Sequence, residues 1–392
     1  MLSDAHARFL EELARDLRAL DVACAQRTLS EMSGVNLCSN DYLGLAGNPR
    51  LRAEILRSVQ ESFLVASTGS RLLSGHFAVW TDLETEFARF AGTEAALYFG
   101  SGYTANIGLL TSILAANDLV FSDAANHASL IDGIRLSGAR KAIYPHLNLA
   151  ALEKSLRQHA HEDCRKLIVT ESVFSMDGDC AAIAKLLDLA DTYRAGLIVD
   201  EAHATAVHGP NGRGLVAAAS GEQRVWAVVH TCGKALASIG AFVCGSERLK
   251  RALINRARTL IFSTAMPPYI ARQILAALNL AKAMDRERAT LFQRSLSFLT
   301  ALRADGWNAG GSTSQIIPII LGENALAVHA AEQLQAAGFG VRAIRYPSVP
   351  EGQARLRISL TAQISVDILR KLCDTLNELR HLQPKRAEAV RA

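Results

Sequence analysis

Features that mark several other protein classes are scarce or missing in this chain of 392 residues. The seven cysteines are dispersed and form no C-x-x-C pair, so we expect no disulfide framework, no zinc site and no other metal site. No apolar run reaches the roughly 18 residues of a transmembrane helix, and the N-terminus lacks the apolar core of a signal peptide. A net charge of +4 is too small to indicate a nucleic-acid partner. We therefore expect a cytoplasmic globular protein without a membrane or nucleic-acid partner.

What the chain does contain is an alternation of helical patterns with short apolar runs, such as AALYF, LVFSD, KLIVTESVF and GLIVDEA. Nearly continuous apolar strands between helices indicate a mostly parallel sheet that is covered on both faces, which is an α/β fold of the doubly wound type. Residues 4–20 predict an amphipathic helix. We expect an N-terminal helix and extended segment over residues 1–45, a large domain over 46–285 and a small α+β domain over 286–392.

Two residues at predicted strand ends point to a ligand site. Asp200 ends the strand GLIVD, and ligands of open α/β sheets bind at the carboxyl ends of strands. A buried carboxylate there needs a cationic partner such as a protonated ring nitrogen; the alternative is an aspartate that caps the next helix. Lys234 lies in the turn TCGKA between two apolar strands, where a lysine can form a Schiff base with a carbonyl compound. The alternative is a solvated loop lysine.

Other segments add weaker signals of the same kind. FGSGYTANIG follows a strand and opens a helix, so the amides of Gly102 and Tyr103 form an anion site. His127 follows another strand, where it can stack on an aromatic ligand, transfer protons or be merely structural. Together these signals fit pyridoxal 5′-phosphate (PLP), whose protein partners include a Schiff-base lysine and an acid at the ring nitrogen. Nicotinamide chemistry fits less well, because no strand–G-x-G-x-x-G–helix unit is present.

The motifs in combination resemble a known family, from about residue 36 to about residue 380. SNDYLG, SGYTAN, HAS, TESVFSMDGD, VDEAH, GRG, TCGKA and STAMPP are similar to those of the α-oxoamine synthases, which are fold type I PLP enzymes. The resemblance implies a mostly parallel seven-stranded sheet with a smaller C-terminal α+β domain. It also implies a homodimer whose active sites lie at the interface between subunits.

The same resemblance implies roles for individual residues. The implied catalytic residues are Lys234, His127, His203 and Asp200. The implied cofactor-binding residues are Gly102, Tyr103, His127, Ser175, Asp200, His203, Thr231, Lys234, Ser263 and Thr264, of which Ser263 and Thr264 reach the phosphate in the neighbouring subunit. The implied substrate-binding residues are Arg18, Asn40, His127, Ser348 and Arg357. Arg357 would hold the amino-acid carboxylate through its bidentate fork.

The resemblance also suggests a reaction. VFSMDGD and AIRYPSVPEGQARLR are similar to members that condense L-alanine with a pimeloyl thioester, carried on CoA or an acyl-carrier protein, with loss of carbon dioxide. The alternatives are a sister synthase that uses glycine or serine, an aminotransferase, and a catalytically inactive dimeric scaffold. The chain departs from the family at Cys232, where a bulkier side chain is usual, and at Ser348, where threonine is usual. Arg71 receives no role.

Overall fold

The computed structural model describes residues 4–62 and 64–382. The helices are α1 (Asp4–Val22), α2 (Pro49–Gln60), α3 (Ala78–Ala91), α4 (Gly102–Ile113), α5 (Ala128–Ser137), α6 (Leu149–Gln158), α7 (Ile183–Thr192), α8 (Leu215–Ala218), α9 (Glu247–Arg256), α10 (Arg258–Ile261), α11 (Pro268–Lys282), α12 (Asp285–Ala304), α13 (Asn324–Ala336) and α14 (Val366–Glu378). The strands are β1 (Val35–Asn36), β2 (Ala95–Phe99), β3 (Leu119–Asp123), β4 (Arg140–Tyr144), β5 (Lys166–Glu171), β6 (Gly196–Asp200), β7 (Ala227–Thr231), β8 (Ala241–Gly245), β9 (Ile316–Gly322), β10 (Phe339–Gly340), β11 (Ala343–Ile344) and β12 (Ala354–Ser359). No helix in this part of the chain is long and apolar enough to cross a lipid bilayer.

The described residues contain a central seven-stranded sheet with the order β2-β8-β7-β6-β5-β3-β4. The strands β3 to β7 run parallel, and β8 runs antiparallel to both of its neighbours, β2 and β7. Strands β5, β6 and β7 are buried along their whole length. Burial on both faces explains why these strands are continuous apolar runs rather than alternating ones. The predicted seven-stranded, mostly parallel α/β fold is confirmed.

The carboxyl ends of the parallel strands meet at one edge of the central sheet. β5 ends at Glu171, β6 at Asp200 and β7 at Thr231. The apolar run had predicted a longer strand over 166–174, but the chain turns after Glu171: the Phe174 amide donates to the Asp179 carbonyl at 3.0 Å, and the Ser172 carbonyl accepts from the Ala181 amide at 2.9 Å. This edge is therefore where polar side chains from adjacent strands are brought together, as in other ligand-binding α/β sheets.

A second, antiparallel sheet with the order β11-β12-β9 packs against α12 and α13, and α14 packs against α12. The edge strand β11 is short, because the chain turns at Ser348, whose amide donates to the Arg345 carbonyl at 2.9 Å. The N-terminal segment joins this part of the molecule through a parallel pairing of β1 with β10. The predicted domain boundaries at 45 and 285 stay predictions.

The N-terminal helix α1 matches the predicted amphipathic helix, but its apolar stripe is exposed. None of its described residues is buried. The side chains of Phe9, Leu10, Leu13 and Leu17 are 56%, 42%, 42% and 49% exposed, respectively. In a single copy of the chain this stripe therefore faces solvent, which is unusual for an apolar surface of this regularity.

The SMDGD segment is locked to the second sheet through a glycine. Gly178 has a φ of +68°, and a Cβ at this position would lie 1.8 Å from the Ile316 carbonyl oxygen. The Gly178 carbonyl in turn accepts a hydrogen bond from the Thr313 amide at 3.1 Å. Val173 and Cys180 pair across the base of the loop. Only glycine fits here, because both the backbone angle and the close approach exclude a side chain.

We predict that Gly178→Ala destabilises the protein by about 3 kcal/mol, because the left-handed backbone penalty and the displacement of the Ile316 carbonyl add up. Gly138→Ala is the matched control, since Gly138 has a similar φ of +73° with no atom within 4 Å of its Cβ position. The control should lose only about 1 kcal/mol. Urea unfolding of both variants measures the difference, and equal losses would contradict the packing argument.

Candidate active site

A cavity of about 190 Å³ opens at the carboxyl edge of the central sheet. It brings together seven of the residues singled out in the sequence: Gly102, Tyr103, His127, Asp200, His203, Thr231 and Lys234. Four further residues, which sequence reasoning did not place in the site, complete its lining: Asn106, Ser129, Glu171 and Ala202. The cavity therefore joins β5, β6 and β7 to the first turns of α4 and α5.

The start of α4 forms an anion cradle. Ser101 caps this helix by accepting from the Thr104 amide at 3.1 Å, and the Thr104 hydroxyl accepts from the Ser101 amide at 3.1 Å. The first amides of a helix have no acceptor within it, so they are available to an anion. A Cβ on Gly102 would lie 2.7 Å from the Thr231 hydroxyl oxygen. Glycine therefore lets this hydroxyl lie against the helix start, where an anion can use both.

Asp200 lies at the end of β6 and is 5% exposed. Its Oδ1 accepts from the Ala202 amide at 2.8 Å, and its Oδ2 accepts from the Asn106 side-chain amide at 2.7 Å. The Ala202 bond is a local turn contact of the kind that the capping alternative foresaw, yet the carboxylate also faces the cavity. Among the described residues Asp200 has no salt-bridge partner within 4 Å, so a cationic ligand would compensate its charge.

Glu171 is the functional carboxylate that sequence reasoning left out of the site. It is the cross-strand partner of Asp200, is 3% exposed, and its Oε1 has no hydrogen-bond partner. Burial, and secondly the negative charge of Asp200, raise the pKa of Glu171 to about 8. Its position at the end of the strand next to that of Asp200 was the sequence signal that could have found it.

Lys234 follows β7 and approaches His203, with 2.8 Å between the Lys234 Nζ and the His203 Nε2. Burial lowers the pKa of Lys234 to about 8, and the positive charge of Arg357 acts in the same direction. The charges of Asp200 and Glu171 oppose this shift. A lysine with a pKa this close to neutrality supplies an uncharged, nucleophilic amine, which a solvated loop lysine does not.

A chain of hydrogen bonds leads from Lys234 to the second sheet. The Tyr42 hydroxyl donates to the Asn40 Oδ1 at 3.0 Å, so the His203 Nδ1–H donates to the Tyr42 oxygen at 2.6 Å. The His203 Nε2 then accepts from Lys234. Burial, followed by the charge of Lys234, holds the pKa of His203 well below its usual range, and the ring is neutral. Tyr42 was missed because nothing in the sequence brings SNDYLG next to VDEAH.

Arg357, on β12, is the last residue of this chain of hydrogen bonds and is 7% exposed. Both of its terminal nitrogens donate to the Asn40 Oδ1 at 3.2 Å, and one also donates to the Ser359 hydroxyl at 2.7 Å. Its Nε donates to the Ser175 carbonyl at 2.5 Å. No carboxylate of the described residues pairs with Arg357, so its charge is available to an anionic substrate. Ser175 contributes its carbonyl here, and its side chain does not line the cavity.

Four predicted residues lie away from this cavity in a single copy of the chain. Ser263 and Thr264 are exposed and line a separate cavity of about 70 Å³ together with Gly100. Ser348 is exposed, and its hydroxyl accepts from Arg27 at 3.2 Å. Arg18 is exposed on α1. Their roles stay predictions.

Two residues that stood out in the sequence have structural surroundings. Arg71 forms an ion pair with the buried Glu84 and lies 5.8 Å from the centroid of the Trp80 ring. Cys232 is fully buried in the hydrophobic core and does not line the cavity. Cys232 therefore acts on the site only through packing.

These groups fit the three polar ends of PLP. The α4 cradle suits the phosphate, the uncompensated Asp200 suits a protonated ring nitrogen, and the Lys234 amine suits the aldehyde. The Oε1 of Glu171 is a further buried polar atom of this site that no described residue satisfies.

Comparison with known proteins assigns the chain to an enzyme family. The family model described as aminotransferase class I and II matches residues 33–376. The chain is 43% identical to a putative 8-amino-7-oxononanoate synthase of Geobacillus kaustophilus over 92% of this chain and 93% of that protein. It is 44% identical to the 8-amino-7-oxononanoate synthase of Azoarcus sp. over 94% of each chain.

Solved structures agree with this placement. A serine palmitoyltransferase from S. paucimobilis with a bound PLP–myriocin aldimine superposes with a TM-score of 0.87 at 25% identity, over 97% of this chain and 99% of that one. The 8-amino-7-oxononanoate synthase of Francisella tularensis superposes with a TM-score of 0.76 at 30% identity, over 88% of this chain and 98% of that one.

We predict that the rate at which cofactor-free protein captures PLP rises with pH, with a midpoint at about 8, and levels off above that midpoint, because only uncharged Lys234 attacks an aldehyde. Asp200→Asn should move the midpoint to lower pH, since it removes a negative charge that stabilises the ammonium. Arg357→Gln should move it to higher pH, since it removes a repelling positive charge. Stopped-flow absorbance measures each profile, and shifts in the same direction for both variants would contradict the assignment.

Proposed function

We propose a reaction from one premise: the chain belongs to the 8-amino-7-oxononanoate synthases, within the aminotransferase class I and II family. The reaction is the decarboxylating condensation of L-alanine with a pimeloyl thioester to 8-amino-7-oxononanoate, releasing carbon dioxide and the thiol carrier. The observation that carries it is the Lys234 amine, which shares a cavity with the buried Asp200 and Glu171. It is connected through His203, Tyr42 and Asn40 to Arg357, which pairs with no carboxylate of the described residues.

The cofactor would be held by the residues that line the cavity. The amides of Gly102 and Tyr103 and the Thr231 hydroxyl would bind its phosphate, and Asp200 its ring nitrogen. His127 caps α5 by accepting from the Ser129 amide at 3.2 Å through Nδ1, which fixes the imidazole where it can stack on the ring. Bound PLP supplies an electron-withdrawing ring that accepts the electron pair released at the α-carbon of the amino acid.

Lys234 and Arg357 would act on different groups of the amino acid. Arg357 would hold the carboxylate of L-alanine, which aligns the α-carbon with the amine. Lys234, uncharged above a pKa of about 8, would remove the α-proton as a general base. Its new positive charge is accommodated by Asp200 and Glu171, and the proton can be shared with the His203 Nε2 at 2.8 Å. Lys234 and His203, as hydrogen-bond donors, would then stabilise the oxyanion that forms on the thioester.

The choice of amino acid tests the proposed function. We predict that L-alanine is preferred over glycine by about 10–200-fold in kcat/KM, because one methyl group in a fitted apolar gap is worth only about 1–3 kcal/mol. L-Serine should be poorer than L-alanine, since it must bury a hydroxyl without an assigned partner. Thiol release with pimeloyl-CoA measures all three, and Lys234→Ala is the inactive, colourless control. Equal or higher values for glycine or serine would move the protein to a sister branch of the family.

We also propose a homodimer with shared active sites. Ser263 and Thr264 are exposed and lie outside the cavity of their own chain, and α1 exposes its apolar stripe. A phosphate dianion needs more donors than the start of α4 provides, so a second copy would supply Ser263 and Thr264 from the partner subunit. We further place the enzyme in the cytoplasm, because seven free and dispersed cysteines fit a reducing compartment.

Subunit complementation tests this arrangement. Thr264→Asp should abolish most activity by repelling the phosphate, and Lys234→Ala should abolish it by removing the amine. If Thr264 acts across the interface, mixed dimers of the two variants regain one intact site per dimer and about half of the wild-type activity. No recovery on mixing, with mixed dimers demonstrated by differently tagged subunits, would show that Thr264 serves its own chain.

A further inference from the structure

A groove outside the active site carries an uncompensated positive charge. It has a volume of about 570 Å³ and lies between the N-terminal extended segment and α13. Its lining, which we name the arginine groove, comprises Gln26, Arg27, Thr28, Leu29, Ser30, Val328, Ala331, Glu332, Gln335, Arg342, Ala343, Ile344 and Arg345. Pockets of this size suit small molecules, whereas a docked protein typically covers about 800 Å² on each partner.

The three arginines of this groove are held by neutral acceptors. The Arg345 guanidinium donates to the carbonyls of Cys24 and Gln26 at 2.8 and 3.1 Å. Arg342 donates through a single terminal nitrogen to the Ser30 carbonyl and hydroxyl at 2.6 and 2.9 Å. Arg27 donates only to the Ser348 hydroxyl. Each guanidinium therefore keeps unused N–H donors in a fixed orientation.

No carboxylate of the described residues lies within ion-pair distance of these arginines, although Glu332 is part of the lining. Many other arginines of the chain do pair, for example Arg165 with Asp118 at 2.6 Å. Burial, and secondly the positive charge of Arg27, lower the pKa of Arg345, because both disfavour its charged form. Positive groups that are crowded and unpaired bind anions well, because the anion relieves their repulsion.

The groove adjoins the active site along two paths. β11, which lies between Arg342 and Arg345, pairs with β12, which carries Arg357. Cys38, two residues before Asn40, lies close enough to both Arg342 and Arg357 that each lowers the pKa of its thiol, against a larger rise caused by burial. The groove therefore lies next to the strand that carries Arg357, on the side of the molecule that the hydrogen-bond chain connects to Lys234.

We propose that the arginine groove binds the phosphate groups of the acyl donor as a coenzyme A thioester. This rests on the proposed function and deepens it, since it identifies the carrier. A diphosphate and a 3′-phosphate offer oxygens that match the planar guanidinium fork, and the flexible pantetheine arm spans the distance to the active site. The exposed Leu29 side chain, beside Ile344, offers an apolar surface to the base. A carrier protein would present a single phosphodiester and a broad acidic surface instead.

Kinetics with a series of donors test the proposal. We expect Arg27→Ala and Arg342→Ala each to raise KM for pimeloyl-CoA about tenfold while leaving KM for L-alanine unchanged. The increase should be smaller with the 3′-dephospho-CoA thioester and absent with the N-acetylcysteamine thioester, which lacks phosphate. Arg248→Ala, which removes an exposed arginine on α9, is the matched control and should behave as wild type. Thermal unfolding checks that each variant is folded.

Direct binding measurements test whether the arginine groove binds the phosphate groups. Calorimetry with adenosine 3′,5′-bisphosphate should show binding to the wild-type holoenzyme that weakens with salt and is lost in Arg27→Ala/Arg342→Ala. Equal KM increases for all three thioesters, or selective loss with a pimeloyl carrier protein alone, would overturn the proposal. Turnover of the N-acetylcysteamine thioester with L-alanine tests the proposed function separately. Absence of this turnover would contradict the proposed function but not the proposed role of the arginine groove.

Discussion

The site depends on two carboxylates that end adjacent strands. Glu171 and Asp200 face each other in register and are 3% and 5% exposed, so both cannot stay charged without a nearby cation. Lys234 lies in the same cavity, and the pKa of its amine and that of the Glu171 carboxyl both come to about 8. The protein thereby keeps an amine and a carboxyl near the midpoint of their titrations, where protons move between groups at little cost.

The same amine is connected to Arg357, the residue that we propose holds the substrate carboxylate. The path from Lys234 through His203, Tyr42 and Asn40 to Arg357 crosses from the central sheet to the second sheet. A carboxylate on Arg357 would compete with Asn40 for the guanidinium and would partly cancel the positive charge that lowers the pKa of Lys234. Substrate binding and the basicity of the amine are therefore coupled by hydrogen bonds and by charge.

Much of this could be predicted from single segments. The strands at 95–99 and 119–123 were predicted with the observed bounds, because each is a short apolar run between helices. The cavity contains Lys234 and Asp200 together, as their strand-end positions predicted. The errors were at element ends, as over 166–174, where Ser172 and Phe174 form hydrogen bonds with the returning segment of their own loop, which the local apolar run does not show.

The sequence by itself determined the order of helices and strands, the glycine turn before α4, and the strand-end Asp200 and Lys234, because these follow from local propensity and spacing. Only the tertiary structure decided that Glu171 faces Asp200, that Tyr42 orients His203, and that Asn40 meets Arg357 across 317 positions of sequence. It also decided the protonation states, since desolvation and Coulomb energy depend on burial and distance in space, which one segment of sequence cannot specify.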